Sequence, residues 1–247
     1  FKALELGAID FVTKPTSKAS YKLLDIKKDL IFKIKAALMI KKEQVPKEEV
    51  EDKKPLHIIE KFIAIGASTG GPQAIQKILT SFKNPINVPI LIAQHMPEGF
   101  TKVFAERLNR IAPFNVLEAN DGMTIENKCV YICPGGCHMF VVKKDGKFKI
   151  KITRKKDTDI YVPSVNNLFD SLVPFAEKTI AIVLTGMGSD GKEGAIKLKS
   201  AGAEIWAESQ DTAIIFGMPK EVINAGVVDH IYPVYDISIF LEKKFNK

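Results

Sequence analysis

From Ile58 onward, short apolar runs alternate with stretches whose apolar residues recur every three or four positions. Phe62-Ile63-Ala64-Ile65 is brief and wholly apolar, the signature of a strand buried on both faces. The next segment, Gln73 to Phe82, carries Ala74, Ile75, Ile78 and Leu79 at helix spacing. The same reading predicts strands over Val88 to Ala93, Asn115 to Ala119, Val130 to Cys133, Thr179 to Thr185, Glu204 to Ala207 and Ile231-Tyr232. It predicts helices over Phe100 to Asn109, Val165 to Ala176, Gly191 to Ala201 and Pro219 to Ala225. Phe140-Val141-Val142 and Phe148 to Ile152, joined through Asp145-Gly146, form an expected antiparallel hairpin. Alternation of this kind predicts an α/β fold. Its sheet is doubly wound and mostly parallel, with helices on both faces, and the hairpin is an antiparallel addition.

The N-terminal part has a different pattern. Leu4 to Ile9 and Phe11-Val12 suggest a helix end, a stop at Gly7 and a short strand. A loop follows at Thr13-Lys14-Pro15-Thr16, then a helix from about Tyr21 to Lys42. Residues 43–57 are charged, contain two prolines and have little apolar content, which marks a linker. Three parts are therefore expected: 1–42, a linker at 43–57, and a main domain over 58–247. The chain starts in mid-pattern without Met and shows no signal peptide, so it reads as a piece of a longer protein.

Composition narrows the classes. Hydrophobic residues make up 46% of the 247, ample for a core, and no run approaches the ~18 apolar residues of a membrane span. No membrane insertion is expected. The net charge of +7 favours an acidic partner surface. Its short clusters, Lys41-Lys42, Lys143-Lys144 and Arg154-Lys155-Lys156, lack interleaved aromatics and read as solvated surface, so no nucleic-acid partner is expected. Cys129, Cys133 and Cys137 are odd in number and lie four apart. That argues against a disulfide framework, for a reducing cytoplasm and for buried free thiols. Their spacing is not that of a structural zinc site, and no metal is expected.

The candidate chemistry begins at Gly66-Ala67-Ser68-Thr69-Gly70-Gly71-Pro72, a tight turn between the first strand and its helix. Pro72 suits the first helical turn, where no backbone N–H is needed. Gly66 to Gly70 spell G-x-S-x-G, the pattern of a serine nucleophile on a strand-to-helix turn. The same turn could cradle a phosphate with free N–H groups at a helix N-terminus, or be a plain turn. In open parallel sheets, ligands lie beyond the carboxyl ends of strands. After the strand ending at Ala93 comes His95, and after the strand ending at Thr185 comes Asp190. A serine, a histidine and an aspartate past three strands are what a charge-oriented nucleophile needs. Asp190 could instead cap the helix that follows it. The chain order Ser, His, Asp differs from the Ser, Asp, His of α/β-hydrolases.

Three stretches together resemble the catalytic domain of the chemotaxis protein-glutamate methylesterases, the CheB family. They are Ile65 to Pro72, Gln94-His95-Met96-Pro97, and Leu184 to Gly191. Tyr131-Ile132-Cys133-Pro134-Gly135-Gly136 and Phe216-Gly217-Met218-Pro219 add to the likeness. Cys133 stands where alanine is usual, and Ile214-Ile215 where Ser or Thr with Val is commoner. The likeness implies Ser68 as nucleophile, His95 as general base and Asp190 as its orienting acid. It implies a supporting hydroxyl at Thr69 and an oxyanion hole from backbone N–H groups around His95 and Met187. It implies hydrolysis of γ-glutamyl methyl esters, and deamidation of glutamines, on methyl-accepting chemotaxis receptors, with no cofactor. Phe1 to Thr16 resembles the end of a response-regulator receiver domain, with Phe11 as the aromatic of its fifth strand and Lys14 as the phosphate-contacting lysine of its Lys-Pro pair. That likeness implies an upstream chemotaxis histidine kinase and release of autoinhibition by phosphorylation. A chain without the phospho-accepting aspartate is expected to be unregulated, and more active than the intact protein. The rivals are a nucleotide- or phosphate-binding module and a scaffold domain that kept the fold.

Overall fold

The computed structural model describes residues 59–245 together with Lys27, Leu30, Ile31 and Ile34. Two compact units divide near Pro46. In the first, the four described positions are helical and exposed, within the helix expected over 21–42. Phe11, Lys14, the linker and its boundaries lie outside the described residues.

The second unit is built on a seven-stranded parallel sheet in the order β3-β4-β2-β1-β7-β8-β9. Its strands are β1 (Phe62–Ala67), β2 (Ile90–Gln94), β3 (Asn115–Glu118), β4 (Cys129–Ile132), β7 (Thr179–Val183), β8 (Glu204–Glu208) and β9 (His230–Tyr232). The remaining two strands, β5 (Cys137–Lys144) and β6 (Lys147–Arg154), form the separate antiparallel hairpin. The helices are α1 (Gly71–Ser81), α2 (Phe100–Ile111), α3 (Val165–Leu172), α4 (Lys192–Ser200), α5 (Met218–Asn224) and α6 (Val234–Phe245). The expected fold class is the observed one.

β1, β2 and β7 are buried at every position, as central strands covered on both faces must be. Phe62 and Ala64 point toward α3, whose Val165, Leu168, Phe169 and Leu172 belong to the same core. Gly66 continues that face. A Cβ there would lie 2.2 Å from Val165 Cγ1, so glycine is what lets α3 close on the end of β1. On the opposite side, α1 packs against α6 and α2. Hydrogen-bonded order runs outward from β1 through β2 to β3 in one direction and through β7 to β9 in the other. Strand order therefore reverses between β1 and β7, which opens a crevice beyond their carboxyl ends.

Three differences from the sequence reading have local causes. Both hairpin strands run eight residues, longer than the apolar runs, because lysines continue the pairing to the turn and Cys137, His138 and Met139 pair with Arg154, Thr153 and Ile152 at the base. The turn itself has Asp145 at φ 52° and Gly146 at φ 72°, the left-handed pair that suits a two-residue hairpin. The helix expected to Ala176 stops at Leu172 and continues as a 3₁₀ segment over Val173–Lys178, since Pro174 offers no N–H. Finally, α6 was not expected. Its buried face is Val234, Ile237 and Leu241, obscured by the intervening run Ile239-Phe240.

Candidate active site

Ser68 and His95 leave adjacent strands side by side. Ala67 pairs with Gln94 in the sheet, and the next residues are Ser68 and His95. The Gln94 side chain ties the two turns together, donating from Nε2 to the Ser68 carbonyl at 2.9 Å and the His95 carbonyl at 3.0 Å. From the other side of β1, Ser68 N–H donates to the Thr185 carbonyl at 3.0 Å. Gly70, at φ 81°, turns the chain into α1, with Pro72 in its first turn as expected. Gly71 N–H donates back to the Ser68 carbonyl at 2.8 Å. Two amides of the glycine turn are thus already spent within the protein.

The segment after β7 brings Asp190 to His95. His95 Nε2 lies 2.8 Å from Asp190 Oδ2, with the Asp190 side chain fully buried and that of His95 14% exposed. No hydrogen bond to His95 Nδ1, from Ser68 Oγ or any other group, exists among the described residues. Asp190 also accepts from Val165 N at 2.7 Å, Asn166 N at 3.0 Å, Ser164 Oγ at 3.2 Å and Gly191 N at 3.1 Å. It therefore does cap a helix, but that helix is α3, where the N-terminal dipole favours an anion. α4, the helix that follows it, starts with no side-chain cap. Burial alone would push the Asp190 carboxyl up. The hydrogen bond and charge of His95, with the Asn166 and Val165 amides, outweigh it and hold the carboxyl below its ordinary value.

The other expected residues lie on the neighbouring turns, Thr69 directly after Ser68 and Met187 on the loop after β7. Thr69 is buried, and its carbonyl accepts from Thr185 Oγ1 at 3.0 Å. Its hydroxyl makes no hydrogen bond among the described residues. Met187 is 54% exposed on the loop after β7, and its N–H likewise has no partner among them. His95 differs on this point, because its N–H donates to the Ala67 carbonyl at 3.0 Å within the ladder. That amide is committed to the sheet, so of His95 and Met187 only Met187 offers a free donor. Of the cysteines, Cys129 and Cys133 are buried and Cys137 half-buried, all as free thiols. Burial pushes the Cys133 and Cys137 thiols up. Among the described residues no group of three or more His, Cys, Asp or Glu is placed to hold a metal ion, and no helix is long and apolar enough to cross a membrane.

The arrangement has relatives. The family model described as CheB methylesterase matches residues 63–241. The chain belongs to the CheB methylesterase family. It is 40% identical over 244 residues to protein-glutamate methylesterase/protein-glutamine glutaminase 1 of Myxococcus xanthus, covering 96% of this chain and 69% of that protein. It is 38% identical over 245 residues to the Geobacillus kaustophilus protein of the same description, covering 96% and 70%. The crystal structure of the Thermotoga maritima CheB methylesterase catalytic domain matches 76% of this chain and all of that one, with a TM-score of 0.72 and 37% identity.

In this CheB family member several residues at the site escaped the sequence reading. Tyr161 stacks on the His95 ring, with centroids 5.2 Å apart and planes at 11°. It lies on a strap, residues 155–164, that runs from β6 to α3. The strap is fastened by His138. His138 is buried, its Nε2 lies 2.9 Å from Asp159 Oδ2, and its Nδ1 accepts from Ser164 N at 3.1 Å. Ser164, which binds Asp190, is the N-cap of α3 and accepts from Asn167 N at 3.2 Å. Pro163-Ser164 before an apolar-periodic run was a readable start signal. Tyr161 had none, since its partner is distant in sequence. Glu208, at the end of β8, is fully buried; it accepts from Thr185 N at 2.8 Å and Thr212 Oγ1 at 2.9 Å. Burial pushes its carboxyl up against these bonds.

Proposed function

We propose that this chain is a protein-glutamate methylesterase and protein-glutamine glutaminase acting through Ser68, His95 and Asp190. The observation that carries the proposal is the buried Asp190–His95 contact of 2.8 Å, beside the strand end that bears Ser68. The names of the relatives support the substrate class.

Asp190 holds the imidazole with Nε2–H toward itself, which leaves Nδ1 as the base nitrogen. The roles of the two ring nitrogens are reversed from the common serine-protease arrangement. Ser68 Oγ attacks the γ-carbonyl carbon of a glutamyl methyl ester while its proton passes to His95 Nδ1. Negative charge gathers on the carbonyl oxygen, and the free N–H of Met187 is the donor available to it. Thr69 supports that pocket. Collapse of the tetrahedral intermediate returns the proton from the imidazolium to the leaving oxygen, and methanol departs. Water then attacks the glutamyl-enzyme with His95 again as base, releasing a carboxylate and restoring Ser68. For a glutamine side chain the leaving group is ammonia. The anionic Asp190 stabilises the imidazolium at both stages, and no step calls for a metal or organic cofactor.

The substrate proteins in this reading are methyl-accepting chemotaxis receptors in the cytoplasm. Residues 58–247 form the catalytic domain, and 1–42 with the linker belong to a receiver switch containing Phe11 and Lys14, answering to a chemotaxis histidine kinase. The likeness of Phe1 to Thr16 supports that part. The phosphate-cradle reading is disfavoured, because the Ser68 and Gly71 amides already have acceptors inside the protein.

A fluorophosphonate, which reacts with base-activated serines, tests the site. The expected result is one adduct, mapped by mass spectrometry to Ser68 and abolished by His95→Ala. An adduct on another serine, or undiminished labelling of His95→Ala, would overturn the assignment.

A further inference from the structure

The proposed reaction makes no use of the outer face of the β5–β6 hairpin. Phe140 lies opposite Lys151, Val142 opposite Lys149 and Lys144 opposite Lys147, so these six share one face. The other face, with Met139, Val141 and Ile150, is buried in the core. Phe148 on that inner face packs edge-on against Phe62 of β1 with centroids 4.9 Å apart, which locks the hairpin to the sheet. The outer face therefore presents four lysines around the half-buried Phe140 and Val142, and exposed Lys155 and Lys156 follow directly. Among the described residues, Lys144, Lys147, Lys149, Lys151 and Lys155 form no ion pair. Lys144, Lys147, Lys149 and Lys151, separated in the sequence, become one basic row in space.

Lysines on a ribbon also keep its edges from pairing with other chains. That role needs charge but no direction, whereas this row leads to the site. The last pair on the same face is His138 opposite Thr153. His138 holds the strap through Asp159, and the strap places Tyr161 on His95 and Ser164 on Asp190. At the other flank of the hairpin base, Gly135 sits so close to the turn after His95 that a Cβ would lie 2.3 Å from the Pro97 carbonyl oxygen. Strands of eight residues at ~3.3 Å each give a hairpin face of roughly 25 Å from tip to base.

We propose that this face docks an acidic helical segment of the substrate protein, so that a nearby glutamyl ester or glutamine reaches Ser68. The inference rests on the esterase and deamidase reading above. Both reactions turn a neutral side chain into a carboxylate, so every segment processed carries glutamate and gains charge with each turnover. Lysines on alternate strand positions are about 6.6 Å apart, and their flexible four-carbon stems take up the difference from the ~5.4 Å pitch of a helix bearing carboxylates on one face. Exposed ammonium groups steer an acidic partner through their charge.

The test uses the whole chain with Lys147→Glu, Lys149→Glu and Lys151→Glu combined. Two substrates are compared: a glutamate-rich helical peptide with one γ-methyl ester, and a blocked single glutamate γ-methyl ester. The expected result is a fall in kcat/KM on the peptide of about tenfold or more, with a flattened salt dependence, and an unchanged rate on the single ester. The corresponding Lys→Arg triple variant should keep the peptide rate. Equal losses on both substrates, or no loss on the peptide, would overturn the docking face while leaving the esterase reading intact. A wild-type chain that hydrolyses neither ester would overturn both. Tighter binding of a single-stranded oligonucleotide than of the acidic peptide through the same lysines would also overturn it.

Discussion

At Asp190 one carboxylate receives five groups: the His95 ring, the Ser164 hydroxyl and the amides of Val165, Asn166 and Gly191. So many donors hold it anionic where burial alone would neutralise it. The sign of its pH effect follows. An unfolded aspartate titrates near ~3.9, and the folded value is lower. Between the two, the unfolded chain takes the proton and the folded one does not. Asp190 thus contributes stability that is complete above about pH 5 and is lost as pH falls through the folded value. Asp190→Asn should remove this acid-side loss, as read from urea midpoints down to about pH 3. A variant that loses stability with acid as steeply as the wild type would contradict the account. At His95 the stacked Tyr161 limits rotation of the ring. Tyr161→Ala should lower kcat about tenfold or more with a smaller change in KM, while Tyr161→Phe keeps the ring and most of the rate. Equal losses in Ala and Phe variants would assign the effect to the hydroxyl instead.

Elements differed in how plainly the sequence declared them. β1, β2 and β7 were legible because parallel strands covered on both faces are continuous apolar runs. The turn at Gly66 to Pro72 was legible because its glycines meet real steric limits, at Val165 for Gly66 and in φ for Gly70. α6 was hidden by apolar residues on its exposed side, Tyr235 and Ile239. Contacts that join distant elements left no periodic trace, and the buried Glu208 is the sharpest case. It ties the end of β8 to Thr185, and Thr185 Oγ1 in turn reaches the Thr69 carbonyl. Glu208→Ala would strand the Thr185 amide and the Thr212 hydroxyl, at a cost of about 2–4 kcal/mol. Urea unfolding checks this, and a loss under about 1 kcal/mol would show the bonds to be dispensable.

On the scale of the whole molecule, strand order explains why Ser68, His95 and Asp190, spread over more than a hundred positions, come to the same end of the sheet. The reversal between β1 and β7 places the ends of both strands, and of neighbouring β2, around one crevice. The sequence could place Ser68, His95 and Asp190 after strands, but not say which strands adjoin. Nor could it reveal that the hairpin would align Lys144, Lys147, Lys149 and Lys151 in one row. The central claim is that Ser68, activated by His95 and Asp190, cleaves glutamyl methyl esters. Methanol release from methylated receptor preparations measures it directly. The wild-type chain should release methanol, and Ser68→Ala should fall on the order of 10⁴-fold or more while remaining folded. Release by Ser68→Ala at the wild-type rate would contradict the account.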